Sequence, residues 1–432
     1  MQLDIKDFAK IKEASINIDG ITVIAGENNT GKSTIGKIIF SIFNSMYNMN
    51  QKVMQEREDR IYQIVSLFFQ SYLTQNKTIS ELPIRNYTYY SRKFTEKIMN
   101  MIQNNNNAAL PYLIENFIFA NNLTEAIDDI NDFIDNLSDK LNVLIDVSDK
   151  KVMTEVITRW FNKVFENQIS PLTKDSLESI IELTIQNKKI NLHFQNDTCI
   201  SWNTELNILH EAFYIDNPFV IDSMSDYYFK NSIKITDSHL LKYLCKKDNG
   251  ILDGIFDAVM VKDKLNEIYN LLGELLGGDI IENQDGQYYL KTTKYNHPLN
   301  IKNLSTGLKS FAIIKQLLEK GSLKEKDILI LDEPEIHLHP EWQLLYAELI
   351  VLLQKKFDLT IIITTHSPYF LDAIDVFTAK HKISDKTNYY LAENNDLGSY
   401  LYNVTNNIDK IYKKLSDPMQ ELENIRQSIY TF

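Results

Sequence analysis

Residues 2–7 and 14–18 alternate between apolar and polar side chains, and a run from Ile21 to Ala25, apolar but for Thr22, follows them. Alternation marks a half-buried strand, and a short continuous run bounded by glycine marks a strand buried on both faces. Next comes Gly26-Glu-Asn-Asn-Thr-Gly-Lys-Ser33, after which Ile35, Ile38, Ile39 and Ile42 recur at helical spacing. The predicted order is strand, glycine loop, helix.

Polar segments of helical period occupy 92–104, 124–145 and 152–167, with the run Asn104 to Asn107 reading as a loop. They predict a helical insertion over residues 46–185. The acidic run Asp128, Asp129, Asp132 and Asp135 reads as the solvated face of one of its helices. Strands return within 186–222, at Ile190 to Phe194 and Ala212 to Ile215, and a second, lid-like helical stretch spans 223–276. Asp285-Gly286 between two strand-like runs predicts a hairpin over 279–292. Ile328 to Leu331 and Leu359 to Thr364 are further buried-strand candidates flanked by helical pattern, which is the mark of a parallel sheet with crossover helices. The expected fold is therefore α/β. A discontinuous head of residues 1–45 and 277–432 holds a mixed or parallel core sheet with an N-terminal antiparallel part, interrupted by the large helical insertions. From Ile408 the tail reads as two short amphipathic helices broken at Pro418.

Composition narrows the functional classes. With 45 basic against 58 acidic residues the net charge is −13, which argues against broad adhesion to nucleic acid and leaves room only for a local basic groove. Cys199 and Cys245 are far apart and form neither a disulfide framework nor a zinc pattern, so a reducing cytoplasmic setting is expected. The N-terminus lacks the basic-then-apolar pattern of a signal peptide, and no run approaches about 18 apolar residues, so no membrane association is expected.

The glycine loop fits the Gly-x4-Gly-Lys-Ser pattern that wraps backbone N–H groups around phosphate oxygens. The expected nucleotide-binding residues are Gly26, Asn28, Asn29, Thr30, Gly31, Lys32, Ser33 and Thr34. Lys32 would carry a point charge to the β and γ phosphates of ATP, and the Ser33 hydroxyl would ligate Mg2+. Asp332 and Glu333 end a buried strand, where open α/β sheets bind ligands. Asp332 would complete the Mg2+ shell and Glu333 would polarise the attacking water. Taken alone, an Asp-Glu pair in that place also serves as a helix N-cap.

Two more features point to a second subunit. Ser305 and Gly307 in Leu304-Ser-Thr-Gly-Leu-Lys-Ser310 begin a helix-period run, and such a terminus is an anion site with nothing in its own subunit to bind. A partner's γ-phosphate is the natural ligand. Within the subunit's own site, His366, in Thr364-Thr-His-Ser-Pro368 at the end of a core strand, can hydrogen-bond the γ-phosphate and report its presence, and joins Lys32 and Glu333 as a catalytic candidate. Glu335, His337, His339 and Pro340 read as an interface-forming loop near the partner's nucleotide.

The order of these motifs resembles the ABC ATPase superfamily. Asp332-Glu-Pro-Glu-Ile-His-Leu-His-Pro340 and Thr365-His-Ser-Pro-Tyr-Phe-Leu371 are most similar to the OLD (overcoming lysogenization defect) group, including the Septu-type PtuA and PARIS-type AriA anti-phage ATPases. The similarity covers about residues 1–45 and 277–400. It implies an ABC-type ATPase head that forms a homodimer or higher homo-oligomer, with Ser305 and Gly307 of one copy capping the nucleotide on Lys32 of the other. It departs from transporter ATPases at Thr306, Leu308 and Lys309. OLD proteins carry a TOPRIM nuclease after the ATPase, and the stretch beyond His366 is too short for one. The implied role is a regulatory ATPase of a bacterial defence system, responding to DNA or a phage trigger and controlling a separate nuclease or toxin effector. The alternative is a DNA repair or recombination ATPase of RecF or SMC type. A transporter ATPase and an ATP-binding scaffold are weaker alternatives.

Overall fold

The computed structural model describes residues 1–75, 86–104, 106–124, 127, 129–172, 177–229, 233–246 and 267–430. It divides into two compact units, one of Met1–Tyr47 with Ile157–Phe432 and one of Asn48–Val156.

The larger unit is built on an eleven-stranded sheet. In chain order its strands are β1 (Gln2–Phe8), β2 (Ile11–Asn17), β3 (Ile21–Gly26), β4 (Glu178–Ile185), β5 (Lys188–Gln195), β6 (Thr198–Thr204) and β7 (Ala212–Ile215). A separate small sheet contains β8 (Gly278–Glu282), β9 (Tyr288–Thr292) and β10 (Leu299–Asn300). The main sheet resumes with β11 (Ile328–Asp332), β12 (Thr360–Thr365), β13 (Thr387–Asn395) and β14 (Gly398–Asn403). Across the sheet the order is β6-β5-β4-β1-β2-β14-β13-β3-β12-β11-β7. β13, β3, β12, β11 and β7 run parallel, whereas β2, β1, β4, β5 and β6 pair antiparallel. Every residue of β3 is buried, as a strand covered on both faces requires. The parallel register aligns Ala25 with Thr365 and Thr364 with Asp332, so the carboxyl ends of three neighbouring strands open onto one crevice.

The smaller unit is helical, with a core of Ile61, Val65, Phe69, Phe94, Phe117, Phe133 and Leu137. Its helix Ile130–Ile145 starts on Asp129, whose carboxylate accepts the Asp132 N–H. It ends where the Arg57 guanidinium donates to the carbonyls of Leu144 at 2.7 Å and Val147 at 2.9 Å and to Asp149 at 2.6 Å. Orphan carbonyls at a helix end need such donors. Asp128 lies outside the described residues.

Three expectations are corrected. Residues 178–185 form β4 and pair with β1, so the helical insertion does not reach 185; the adjacent pair Ile180-Ile181 blurs the alternation that marks a strand. The described parts of 223–276 are no lid, because Leu240, Leu241, Leu244, Ile268, Leu272 and Leu276 are buried in the core around β11 and β12. Residues 230–232 and 247–266 of that stretch lie outside the described residues. The tail is one helix, Asp409–Tyr430, running through Pro418. A proline forfeits a backbone bond, but the flanking turns propagate across the defect. Among the described residues no helix is long and apolar enough to cross a membrane.

Candidate active site

β3 delivers the chain into the loop Gly26–Ser33, and the helix Lys32–Met46 carries it away. Gly31 caps that helix at φ 80°, and a Cβ there would meet Ile11 Cγ1 at 3.2 Å, so only glycine fits without strain. Thr30 braces the loop by donating to the Glu27 carbonyl at 2.8 Å, and Lys10 Nζ donates to the Asn29 carbonyl at 2.6 Å. Asn28 and Asn29 are exposed, while Ser33 and Thr34 are half-buried.

Lys32 is only 4% exposed. Its ammonium donates to the carbonyls of Gly26 at 3.0 Å and Glu27 at 2.7 Å and stands 3.7 Å from Glu333 Oε1. Burial lowers its pKa, while the carboxylates of Glu333, Asp332 and Glu335 work the other way. A positive charge poised among backbone carbonyls and acids is a prepared partner for a polyanion.

At the end of β11, Asp332 gathers three hydroxyl donors. Ser33 donates to Oδ1 at 2.9 Å, Tyr214 donates to Oδ2 at 2.5 Å, and Thr364 makes a further short bond to Oδ1. Tyr214 comes from β7, paired in parallel with β11 so that it faces Ile330. Its burial and the Asp332 charge push its pKa well up, so it stays a donor. Glu333 adopts φ 50°, a left-handed conformation uncommon for a residue with a side chain. Its N–H donates to Thr364, to the carbonyl and hydroxyl oxygens both at 3.1 Å. That kink turns its carboxylate toward Lys32 and toward His366, whose Nδ1 lies 3.4 Å away.

The structure thus brings Gly31, Lys32, Ser33, Asp332, Glu333 and His366 together at one crevice. It corrects the reading of Glu335, which is buried beneath the crevice and bonded to Thr365 and His366, so it does not line an interface. His337 and His339 of the same loop are exposed. Ser305 and Gly307 sit at the start of the helix Thr306–Glu319. Ser305 is exposed, makes no capping bond with its side chain and, among the described residues, no hydrogen bond to the crevice. Gly307 is buried, and a Cβ there would come within 2.5 Å of Trp342 Cε3. Lys309 is an internal strut: it pairs with Asp222 at 2.7 Å and donates to the Lys302 carbonyl at 3.1 Å. Sequence reasoning placed Tyr214 within the strand Ala212 to Ile215 but gave it no role. Only the pairing of β7 with β11 discloses one.

Two hard oxygen donors, Ser33 and Asp332, already in mutual contact, suit a small divalent cation that takes its remaining ligands from phosphate and water. A buried lysine, a paired hydroxyl and carboxylate, and a second acid beside a histidine at a parallel-sheet crevice define a P-loop nucleotide site. Residues 1–371 match the AAA ATPase domain family (AAA_15), and the chain belongs to it. Over 139 residues it is 31% identical to the Retron Ec83 probable ATPase of Escherichia coli, a match covering 27% of this chain and 25% of that protein. The chain therefore spans about a quarter of the length of that curated relative. Among solved structures, an SMC head bound to the C-winged helix domain of ScpA is 12% identical, with 93% of this chain and 96% of that one covered and a TM-score of 0.41. The SMC head domain from Thermotoga maritima is 11% identical, with 93% and 98% covered and a TM-score of 0.36.

Proposed function

We propose that the chain binds MgATP on Gly26–Thr34 and hydrolyses it in a site completed by a second copy. The observation that carries this reading is the meeting of Lys32 and Ser33, after β3, with Asp332 and Glu333, at the end of β11. On binding, Lys32 exchanges its loop carbonyls for the β and γ phosphates. Ser33 and Asp332 would hold Mg2+, which when bound neutralises charge on the phosphates. Tyr214 and Thr364 fix the Asp332 carboxylate by donating to it. Glu333, turned into the crevice by its left-handed backbone, accepts a proton from the attacking water, and His366 steadies the γ-phosphate beside it.

The exposed Ser305 hydroxyl, which makes no capping bond at its helix N-terminus, supports the shared site, since such an end attracts an anion. The likeness to the retron probable ATPase supports ATP hydrolysis, and the OLD-like strings support a regulatory role in bacterial anti-phage defence, acting on a separate nuclease or toxin. DNA is a candidate trigger.

Phosphate release tests the reading. The wild-type chain should turn over ATP with Mg2+, Lys32→Ala should lose nucleotide binding, and Glu333→Gln should bind ATP without turnover and accumulate an assembled state. Unchanged turnover in Glu333→Gln would remove the proposed base. Co-purification from a native host, with the neighbouring genes present, tests the effector, and a chain that brings down neither nuclease nor toxin and gives no protection from phage counts against the defence role.

A further inference from the structure

The turn after β11 holds a second carboxylate that the hydrolytic reading leaves unused. Glu335 is 3% exposed. Its Oε1 accepts from the Thr365 hydroxyl at 2.6 Å and from the His366 backbone N–H at 3.2 Å, and lies 3.9 Å from His366 Nδ1. The Thr365 hydroxyl oxygen also accepts the Ser367 N–H at 3.0 Å, which extends the network through the turn after β12. Oε2 is buried without a hydrogen-bond partner among the described residues.

One oxygen atom therefore ties the turn that carries Glu333 to the turn that carries His366. The His366 side chain is 41% exposed, too open for packing alone to hold it, yet its Nδ1 sits 3.4 Å from Glu333 Oε1. The backbone bond that Glu335 receives is what anchors the ring's starting point. A carboxylate oxygen accepts two donors at once and binds each more strongly than a neutral acceptor does. From this geometry we propose that Glu335 is a positioning residue for hydrolysis: it grips Thr365 and the His366 amide and so sets the imidazole against Glu333. The proposal rests on the hydrolytic roles given to Glu333 and His366 above.

The test is steady-state ATP turnover by the full chain, with circular dichroism and melting to verify folding. Glu335→Ala should lower kcat by roughly 10- to 100-fold with little change in KM, because a small misplacement of a catalytic group costs rate and not ground-state binding. Glu335→Gln keeps an accepting oxygen at the same reach and should restore kcat to within about threefold of wild type. Adding Glu335→Ala to His366→Ala should cost nothing further, since a residue that acts only through another is silent once that other is gone. A folded Glu335→Ala variant with wild-type kcat overturns the proposal, as do independent, multiplicative losses in the double variant. Should Glu335→Ala fail to fold, Glu335→Asp keeps the charge but withdraws it by one methylene. It should then lose kcat by about tenfold where Glu335→Gln does not, and the reverse order overturns the proposal. A wild-type chain that releases no phosphate removes the hydrolytic reading and this proposal together. Wild-type turnover with indifferent Glu335 variants removes this proposal alone.

Discussion

Ser33 donates its hydroxyl to Asp332 at 2.9 Å, across 299 residues of chain. The bond links the start of the helix after β3 to the end of β11, and β12 lies between those two strands. Two strands that are not neighbours thus meet at one oxygen pair, the pair proposed above to hold the cation.

Tyr214→Phe should show how much the third donor matters. Removing that hydroxyl leaves Oδ2 of Asp332 without its 2.5 Å partner while keeping the buried ring. The Mg2+ concentration for half-maximal turnover should rise by roughly 10- to 100-fold, as for other outer-shell partners of metal ligands. A magnesium titration of turnover checks this, and an unchanged midpoint would mean that Asp332 is held by Ser33 and Thr364 alone.

Asp237 supplies a pH test of stability. Burial first, and then the charge of Asp216, raise its pKa from 3.8 to about 6. A raised folded-state value means that Asp237 favours the fold fully below pH 3.8, and that this contribution is lost as the pH climbs through about 6. Asp237→Asn cannot ionise, so it should match wild type near pH 4 and exceed it at pH 8, by up to about 3 kcal/mol. Urea denaturation at both pH values gives the answer, and equal differences at the two would refute the assignment.

Gly307→Ala should destabilise the head for a steric reason. The added methyl would sit 2.5 Å from Trp342 Cε3, in the packed core beneath the helix Thr306–Glu319. A loss of about 1–3 kcal/mol is expected, partly relieved by Trp342→Leu. Denaturation midpoints of the single and double variants measure it.

The parts of this architecture that were legible in the sequence are those whose cause is local. β3, β11 and β12 read as near-continuous apolar runs because parallel strands are covered on both faces, and the glycine loop reads as itself because its geometry demands those residues. β6 did not read as a strand: it is a sheet edge whose Thr-Cys-Ile-Ser-Trp-Asn-Thr leaves most side chains at least partly exposed. Glu335 was misread because a polar residue in a loop looks solvent-facing, and only its hydrogen bonds to β12 and the turn beyond reveal why it is buried. Tyr214 meets Asp332 through the register of two strands far apart in sequence, and no local pattern encodes that register.

The shared site is tested most directly by mixing two inactive variants. Lys32→Ala has a dead nucleotide loop and an intact Ser305, whereas Ser305→Arg has the reverse. If the site is built from both copies, each mixed pair regains one complete site. Turnover of an equimolar mixture should then recover to about a quarter of wild type, the share expected from random two-fold pairing. A mixture no more active than its components, or a Ser305→Arg variant that turns over ATP unaided at low protein concentration, would contradict it.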